Sequence, residues 1–378
     1  MVTLDSFDDL DRGLLHALQI DGRAPFRRIG EVLGVSDQTV ARRYARLRRS
    51  RSLRVLGLSD PAVVNQVQWT VRVRATPEAA AEIADALARR SDTSWISLCS
   101  GGTEIFCTAF GDGVDPLLLE ALPRTRHVLD VRAHQVLHVF DGGAGKPFTK
   151  HGPLTASQVA RLSEHLPVPS GPAPRLDGAD RRILEVLRED GRATVEELMA
   201  AARVSASTAR RRLHDLRAGG VLHFDVDVDL RVFELPVRTM LWLTARAADL
   251  DAVGRALATH AEVAFAAATT GPGNVLASVS TRDTAALYRY LTTEVAALPG
   301  VGAVETAPVV RNVKAAVTHY GARLPRPAAA VRAASDGDRV WLLSVVLAGQ
   351  GVVRWAASKP VPDGGIPPRG VDGAPCAP

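Results

Sequence analysis

Cysteine is scarce in this chain of 378 residues: there are three, an odd count, which excludes a disulfide-stapled secreted scaffold. Lysine is scarcer for its class, since only Lys146, Lys150, Lys314 and Lys359 occur among 46 basic residues. That skew is what GC-rich coding produces, so arginine carries functional meaning only through its placement. No apolar run is long enough to span a bilayer, the richest being Val340 to Ala348, so no membrane partner is expected. The start, MVTLDSFDDLDRG, is acidic and has no apolar core of a signal peptide, so a cytoplasmic protein is expected. The ten histidines show no metal-ligand spacing, and no nucleophile triad, P-loop or dinucleotide-binding glycine fingerprint occurs. No catalytic residue, metal or cofactor is therefore expected. What remains is ordinary globular material, 46% hydrophobic and 23% charged, long enough for two or three domains. Its net charge of +5 and pI near 9.4 permit a nucleic-acid partner without requiring one.

The chain repeats itself. Sliding it by 169 residues lays the segment from Asp11 to Leu53 over that from Asp180 to Leu222 without a gap, and 16 of 43 positions are identical. The identities include Asp21-Gly22-Arg23 with Asp190-Gly191-Arg192, Val35-Ser36 with Val204-Ser205, and Arg42-Arg43 with Arg211-Arg212. A shift of 170 then aligns, more weakly, SWISLCSGGTEIFCTAF with AFAAATTGPGNVLASVS. A period this long means duplicated domains, not a solenoid.

Each copy opens with three short helices. In copy one, Asp11 is placed to cap a helix whose apolar face is Leu14, Leu15 and Leu18. A second helix, with Pro25 near its first turn, buries Ile29, Val32 and Leu33. In copy two the matching helix carries the capping-box spacing Thr194 to Glu197. After a tight turn at Gly34-Val35, Ser36 caps a third helix with the core stripe Val40, Tyr44 and Leu47. Arg42, Arg46 and Arg49 share its opposite face, and seven arginines face one acid, Asp37, between Ser36 and Arg54. Copy two repeats the plan: Ser205 caps, Ala209, Leu213 and Leu216 point inward, and Arg210, Arg211, Arg212 and Arg217 lie outside. A β-prone hairpin, Leu53 to Leu58 and Val221 to Leu230, is expected to close each module as a wing.

The second module reads strand, helix, strand, strand, helix, strand. In copy two the predicted elements are Thr239–Ala245, Leu250–His260, Val263–Thr269, Val275–Ser280, Thr284–Ala297 and Val301–Arg311. Copy one matches with Trp69–Arg74, Pro77–Arg90, Trp95–Cys99, Glu104–Phe110, a poorer helix near Leu117–Leu122, and Val128–Phe140. This is the ferredoxin-like βαββαβ order. The expected fold is α+β: two winged helix-turn-helix domains (1–60 and 176–232) alternating with two ferredoxin-like domains (61–140 and 233–320). A Gly/Pro-rich linker with one amphipathic stretch, Leu154–Leu166, fills 141–175, and an Ala/Pro/Gly-rich tail, 321–378, is expected to be disordered.

An arginine-rich face on a lone helix is ordinarily solvated surface. Here the helix follows a short helix and a tight turn, and the arrangement occurs twice. A helix-turn-helix puts its second helix in the major groove, with N-terminal residues at base edges and arginines at phosphates. Ser36, Gln38, Thr39, Arg42, Arg43 and Arg46, with Ser205, Ser207, Thr208, Arg210, Arg211 and Arg212, are therefore the candidate contacts to double-stranded DNA.

The LxxLxxDGR start, the VS-x-x-T-x-A-R-R run and the later TGPGN and LPGV turns resemble the Lrp/AsnC family of bacterial transcription regulators. The likeness covers Leu10 to about Tyr320, twice over. It implies DNA-binding heads joined to sensor domains that dimerise through their sheets and take a small-molecule effector, commonly an amino acid. It also implies that this chain folds as a covalent pseudo-dimer, which associates further as a homo-oligomer. An effector is expected at the sensor turns, Gly101, Gly102, Thr103 and Glu104 in copy one and Thr270, Gly271, Gly273 and Asn274 in copy two; a plain glycine hairpin is the other reading of these turns. The family's acidic residue after this turn is Glu104 in copy one but Asn274 in copy two, and copy one has Ser50-Arg51 where copy two has Gly219-Gly220. A competing resemblance is to sirohaem decarboxylases, which share the paired plan. It would give Arg132, His134 and His138, the two histidines read as sharing one strand face, a role toward a tetrapyrrole. Cys99 and Cys107 read as buried small hydrophobes.

Overall fold

Two acidic residues three apart set the start of each copy. In the computed structural model, which describes residues 7–320 except 62, 112–116, 144–149, 151, 165 and 168–173, helix α1 spans Asp9–Ile20. Asp8 accepts from the Asp11 amide while Asp11 accepts from the Asp8 amide, so the cap is Asp8, not Asp11 as the sequence suggested. Helices α2 (Phe26–Leu33) and α3 (Asp37–Arg49) follow, the turn between them held by Gly34 at φ 71°. Ser36 caps α3 by accepting from the Thr39 amide at 3.2 Å.

Strand β1 is Leu53–Ser59. The expected wing hairpin is absent: β1 is a single strand, and its partner is the matching strand of the other copy, Leu222–Val228, in antiparallel register with Val55 opposite Val226. A lone strand leaves its ladder groups unpaired, and the other copy supplies what a second hairpin strand would have supplied. One hydrophobic core then runs through both head modules, from Leu14, Leu18, Ile29 and Leu47 to Ile183, Leu187, Leu198 and Leu216.

Sensor one comprises β2 (Val67–Ala75), α4 (Pro77–Ala88), β3 (Thr93–Cys99), β4 (Glu104–Gly111), a helical turn at Leu117–Ala121 leading into α5 (Leu122–Arg124), and β5 (Val128–Asp141). The linker holds α6 (Ala156–Ser163), which packs on α1 and α2 through fully buried Leu162 and a Gln158 amide donated to the Val32 carbonyl at 2.9 Å. This explains why α1 buries Gly13, His16 and Gln19, where copy two has Arg182, Glu185 and Arg188.

Copy two brings α7 (Gly178–Glu189), α8 (Val195–Ala202), α9 (Ala206–Ala218) and β6, the strand Leu222–Val228 already met. Its caps are as the sequence indicates, Thr194 with Glu197 on α8 and Ser205 on α9, while Asp177 with Asp180 caps α7. Sensor two has β7 (Val237–Ala245), α10 (Leu250–Thr259), β8 (Val263–Thr269), β9 (Val275–Thr281), α11 (Thr284–Tyr290) and β10 (Val301–Lys314).

Each sensor sheet has the ferredoxin-like order, β3-β4-β2-β5 and β8-β9-β7-β10. The two fourth strands are long enough to serve both sheets. β5 runs beyond β2 to pair with β8, and β10 runs beyond β7 to pair with β3, closing an eight-stranded barrel. Both changeovers carry a bulge, at Leu137 and at Val310, which bends the strand and turns these residues outward. Sensor one is thus not a self-contained domain ending at 140; its last strand is shared. Val71, Val73, Ile105 and Cys107 face the α4 side, whereas Cys99, Phe106, Met240, Trp242 and Leu276 meet between the sheets. The expected tail, 321–378, lies outside the described residues.

Candidate functional site

The two recognition helices are held in one frame by reciprocal contacts. Arg23 donates to the carbonyls of Gly191 and Ala193 at 2.7 and 3.0 Å, and Arg192 donates to those of Gly22 and Ala24 at 2.7 and 3.1 Å. Arg48 pairs with Asp190 and Arg217 with Asp21, completing the exchange. The repeated Asp-Gly-Arg is therefore the joint between the heads. Nothing in its local sequence pattern announced this, because its partner is the other copy.

The candidate DNA contacts divide into two groups. Gln38, Arg42, Ser207, Arg210 and Arg211 are exposed, and Thr39 and Thr208 lie beside them at the helix starts. The hydroxyls of Ser36 and Ser205 serve as caps. Arg43 and Arg46 instead reach the buried carboxylate of Asp11, Arg43 also meeting Asp8, and Arg212 reaches Asp177 and Asp180. These three charges are matched within the head, and Arg46 is drawn away from the shared face it was given on the helical wheel. Hydrogen bonds to Asp8 raise the Arg43 pKa, and those to Asp180 raise that of Arg212.

The predicted sensor turns have different surroundings. In copy one, Ser100, Thr103 and Glu104 line a cavity of about 280 Å³ completed by Arg72 and Arg74 of β2, Asp130 and Arg132 of β5, and Glu305 of β10. Gly101 and Gly102, at φ 72° and 89°, leave its turn open, with nothing near where a Cβ would stand. Arg72 is the centre of the wall. It donates to Glu104, holds both oxygens of Glu305 at 2.8 and 2.6 Å, and lies 3.9 Å from the Trp242 ring centroid. Burial works to lower the Arg72 pKa, but the bonds to Glu305 and Glu104 outweigh it and hold it above its ordinary value. The same bond holds Glu305 below the usual carboxylate range.

In copy two, Thr270 exchanges two bonds of 2.9 Å with the Gln135 backbone, and Asn274 spends its amide on the Ala245 backbone, both at 2.8 Å. A Cβ at Gly271 would lie 2.2 Å from His134 Nδ1, and one at Gly273 would lie 2.9 Å from Trp242 Cβ. Burial, then Arg72 and Arg132, depress the His134 pKa and favour a neutral ring. Sequence reasoning missed Arg72, Arg74, Asp130 and Glu305; alternating charge along β2 was the available signal.

His134 and His138 do not share a face. The bulge at Leu137 separates them, leaving His134 against the Gly271 turn and His138 ring-to-ring with Phe140, 4.7 Å between centroids, toward Asp251 of α10. Cys99 and Cys107 are buried, and burial pushes the Cys99 thiol up to about 12. Among the described residues no cluster of His, Cys, Asp or Glu is arranged to hold a metal, and no helix is long and apolar enough to cross a membrane.

The fold defines a duplicated helix-turn-helix protein whose heads are joined to paired ferredoxin-like domains. The AsnC-type helix-turn-helix domain matches residues 7–48 and 176–217, and the Lrp/AsnC ligand binding domain matches 239–318. A Pyrococcus horikoshii relative, HTH-type transcriptional regulator FL11, is 25% identical over 140 residues, 37% of this chain and 92% of its own. Regulatory protein AsnC of Haemophilus influenzae is 27% identical over 146 residues, 37% of this chain and 97% of its own. The crystal structure of the siroheme decarboxylase NirDL superposes with a TM-score of 0.53 at 14% identity, covering 83% of this chain and 95% of that one, a likeness of fold alone. The chain thus carries two AsnC-type helix-turn-helix domains in tandem and, in its second copy, an Lrp/AsnC ligand binding domain, and its relatives are transcriptional regulators of that kind. These domains are those of a DNA-binding transcriptional regulator with a ligand-binding part.

Proposed function

We propose that one chain is a complete DNA-reading unit of a cytoplasmic, nucleoid-associated regulator, with a small polar amino acid as effector. The observation that carries it is the reciprocal Arg23–Arg192 joint, which fixes two recognition helices in one frame without a second chain. Gln38, Thr39 and Arg42 in α3, with Ser207, Thr208, Arg210 and Arg211 in α9, are the contacts that remain exposed or near the surface at the helix starts. Gln38 can pair bidentately with adenine, whereas Ser207 bonds several base edges and discriminates poorly, so the two half-sites differ. The cavity beside Ser100–Glu104 is lined wholly by polar and charged residues, three arginines against three carboxylates. Such a wall suits a zwitterion with a polar side chain and gives an apolar side chain nothing to bury against. Further association of these pseudo-dimers into a homo-oligomer belongs to the same reading.

The test is selection of genomic fragments by the purified chain, followed by binding titrations on the best fragment with Gln38→Ala. This substitution is expected to relax specificity in one half-site only. Equal loss in both half-sites sinks the one-chain reader, and binding that does not weaken with salt sinks the DNA reading itself.

A further inference from the structure

Positions 72 and 242 are equivalents in the two copies, being 170 residues apart and central to β2 and β7. Arg72 stacks on Trp242, so the pseudo-twofold axis of the barrel passes between them. In an exact homodimer the two residues on such an axis would be identical. Two arginines would repel, and a ligand placed there would face its own symmetry copy. Covalent duplication has removed that restriction.

We infer that the chain binds one effector molecule, not two, because the copy-two counterpart of the cavity is closed by its own side chains. This rests on the cavity being the effector site. Residue by residue, the charged wall of copy one is replaced: Arg72 by Trp242, Arg74 by Thr244, and Glu104 by Asn274. Trp242 brings no charge, and the other two replacements are occupied within the protein. Thr244 donates to the Pro272 carbonyl at 2.9 Å, Asn274 is bonded to both backbone groups of Ala245, and the His134 ring covers Gly271. In copy one the Thr103 carbonyl receives the matching Ala75 amide at 3.1 Å, so Glu104 is spared that duty and instead accepts from Arg72 and from the Ser100 hydroxyl on the cavity wall. The crossover strands are unequal as well. Opposite Trp242, β10 carries Glu305, which crosses to Arg72 and completes the copy-one wall. Arg74 is exposed and has no partner among the described residues, unlike Arg132, which is paired with Asp130 at 3.0 Å, and this leaves Arg74 as the anchor for the ligand's carboxylate.

Isothermal titration of the full-length chain tests this, using L-glutamine, L-asparagine, L-glutamate, L-aspartate and L-serine singly, with L-leucine and L-phenylalanine as apolar comparisons. Expected is a stoichiometry of one per chain for a polar member, at least tenfold weaker binding in Arg74→Ala, and binding within twofold of normal in Thr244→Ala. Circular dichroism checks that both variants are folded. A stoichiometry of two, or equal losses in the two variants, overturns the single site while leaving the effector reading intact. Heat only with the apolar members, or none with any, overturns the polar amino-acid reading and this inference together.

Discussion

Arg23 and Arg192 hold the same place in the two copies, and each gives its guanidinium to backbone carbonyls of the other's turn. Burial lowers both pKa values, most of the cost being desolvation, so the carbonyls must compensate for buried charge. Arg23→Ala and Arg192→Ala are each expected to destabilise the heads by about 2–4 kcal/mol, since each leaves two carbonyls without donors. Urea melts of both variants check it. A loss in one variant and none in the other would contradict the reciprocity.

Exposed and carboxylate-matched arginines should separate in two different assays. Arg42→Ala and Arg211→Ala are expected to weaken DNA binding on all sequences and to flatten the log–log salt slope by about one unit each. Arg43→Ala leaves buried Asp11 with less cation and is expected to lower stability by about 2 kcal/mol, with a smaller change in salt slope. Thermal melts and salt titrations on the same preparations decide the matter; a full-unit slope change in Arg43→Ala would place it on phosphate.

The turn between the second and third helices is left-handed in both copies, at Gly34 with φ 71° and at Arg203 with φ 56°. Space is open at Gly34, so Gly34→Ala should cost about 1 kcal/mol through the backbone alone. The reverse exchange, Arg203→Gly, should stabilise by about 0.5 kcal/mol. Chemical denaturation measures both, and a destabilising Arg203→Gly would show that its side chain does more than fill the turn.

One face of β6 carries opposing titrations, a histidine against two aspartates, Asp225 and Asp227, that burial raises. Burial pushes the His223 imidazole down to about 4, and the Asp225 carboxyl up to about 6, with Asp227 and Arg54 on the same face of the ribbon. The histidine's folded pKa lies below its unfolded one, so its contribution is present above pH ~6.5 and lost as pH falls toward 4. The folded pKa of Asp225 lies above its unfolded one, so its contribution is present below pH ~4 and lost as pH rises toward 6. Between these limits the two largely cancel. Asp225→Asn is therefore expected to lose about 2–3 kcal/mol on acidification from pH 6.5 to 4, relative to the parent, while His223→Asn gains stability over the same range. Stability curves at five pH values suffice; identical profiles for the two variants would refute the opposition.

What the sequence reveals here depends on distance along the chain. The caps at Ser36, Ser205 and Thr194 are local patterns, and the structure places them where the pattern does. The order of the sensor elements is likewise carried by periodicity within each element. The partner of β1 lies about 170 residues away, so a solitary strand read as half of a hairpin. Helical periodicity placed Arg46 outward, but a carboxylate on α1 redirects it. The bulge at Leu137 shifts strand alternation by one and separates two histidines that simple alternation had put together. The cavity was legible only in its turn, because its remaining charges come from β2, β5 and β10.

Barrel closure within one polypeptide has a genetic consequence. Sensors that close their barrel between separate chains can trade partners, so a defective allele can enter mixed assemblies and silence sound subunits. Here the two halves are made in the same act of translation and in a fixed ratio, and the fourth strand of each is already committed to its sibling. Each gene product therefore closes or fails to close its barrel alone, and a defect in one allele cannot spread to another through this barrel seam.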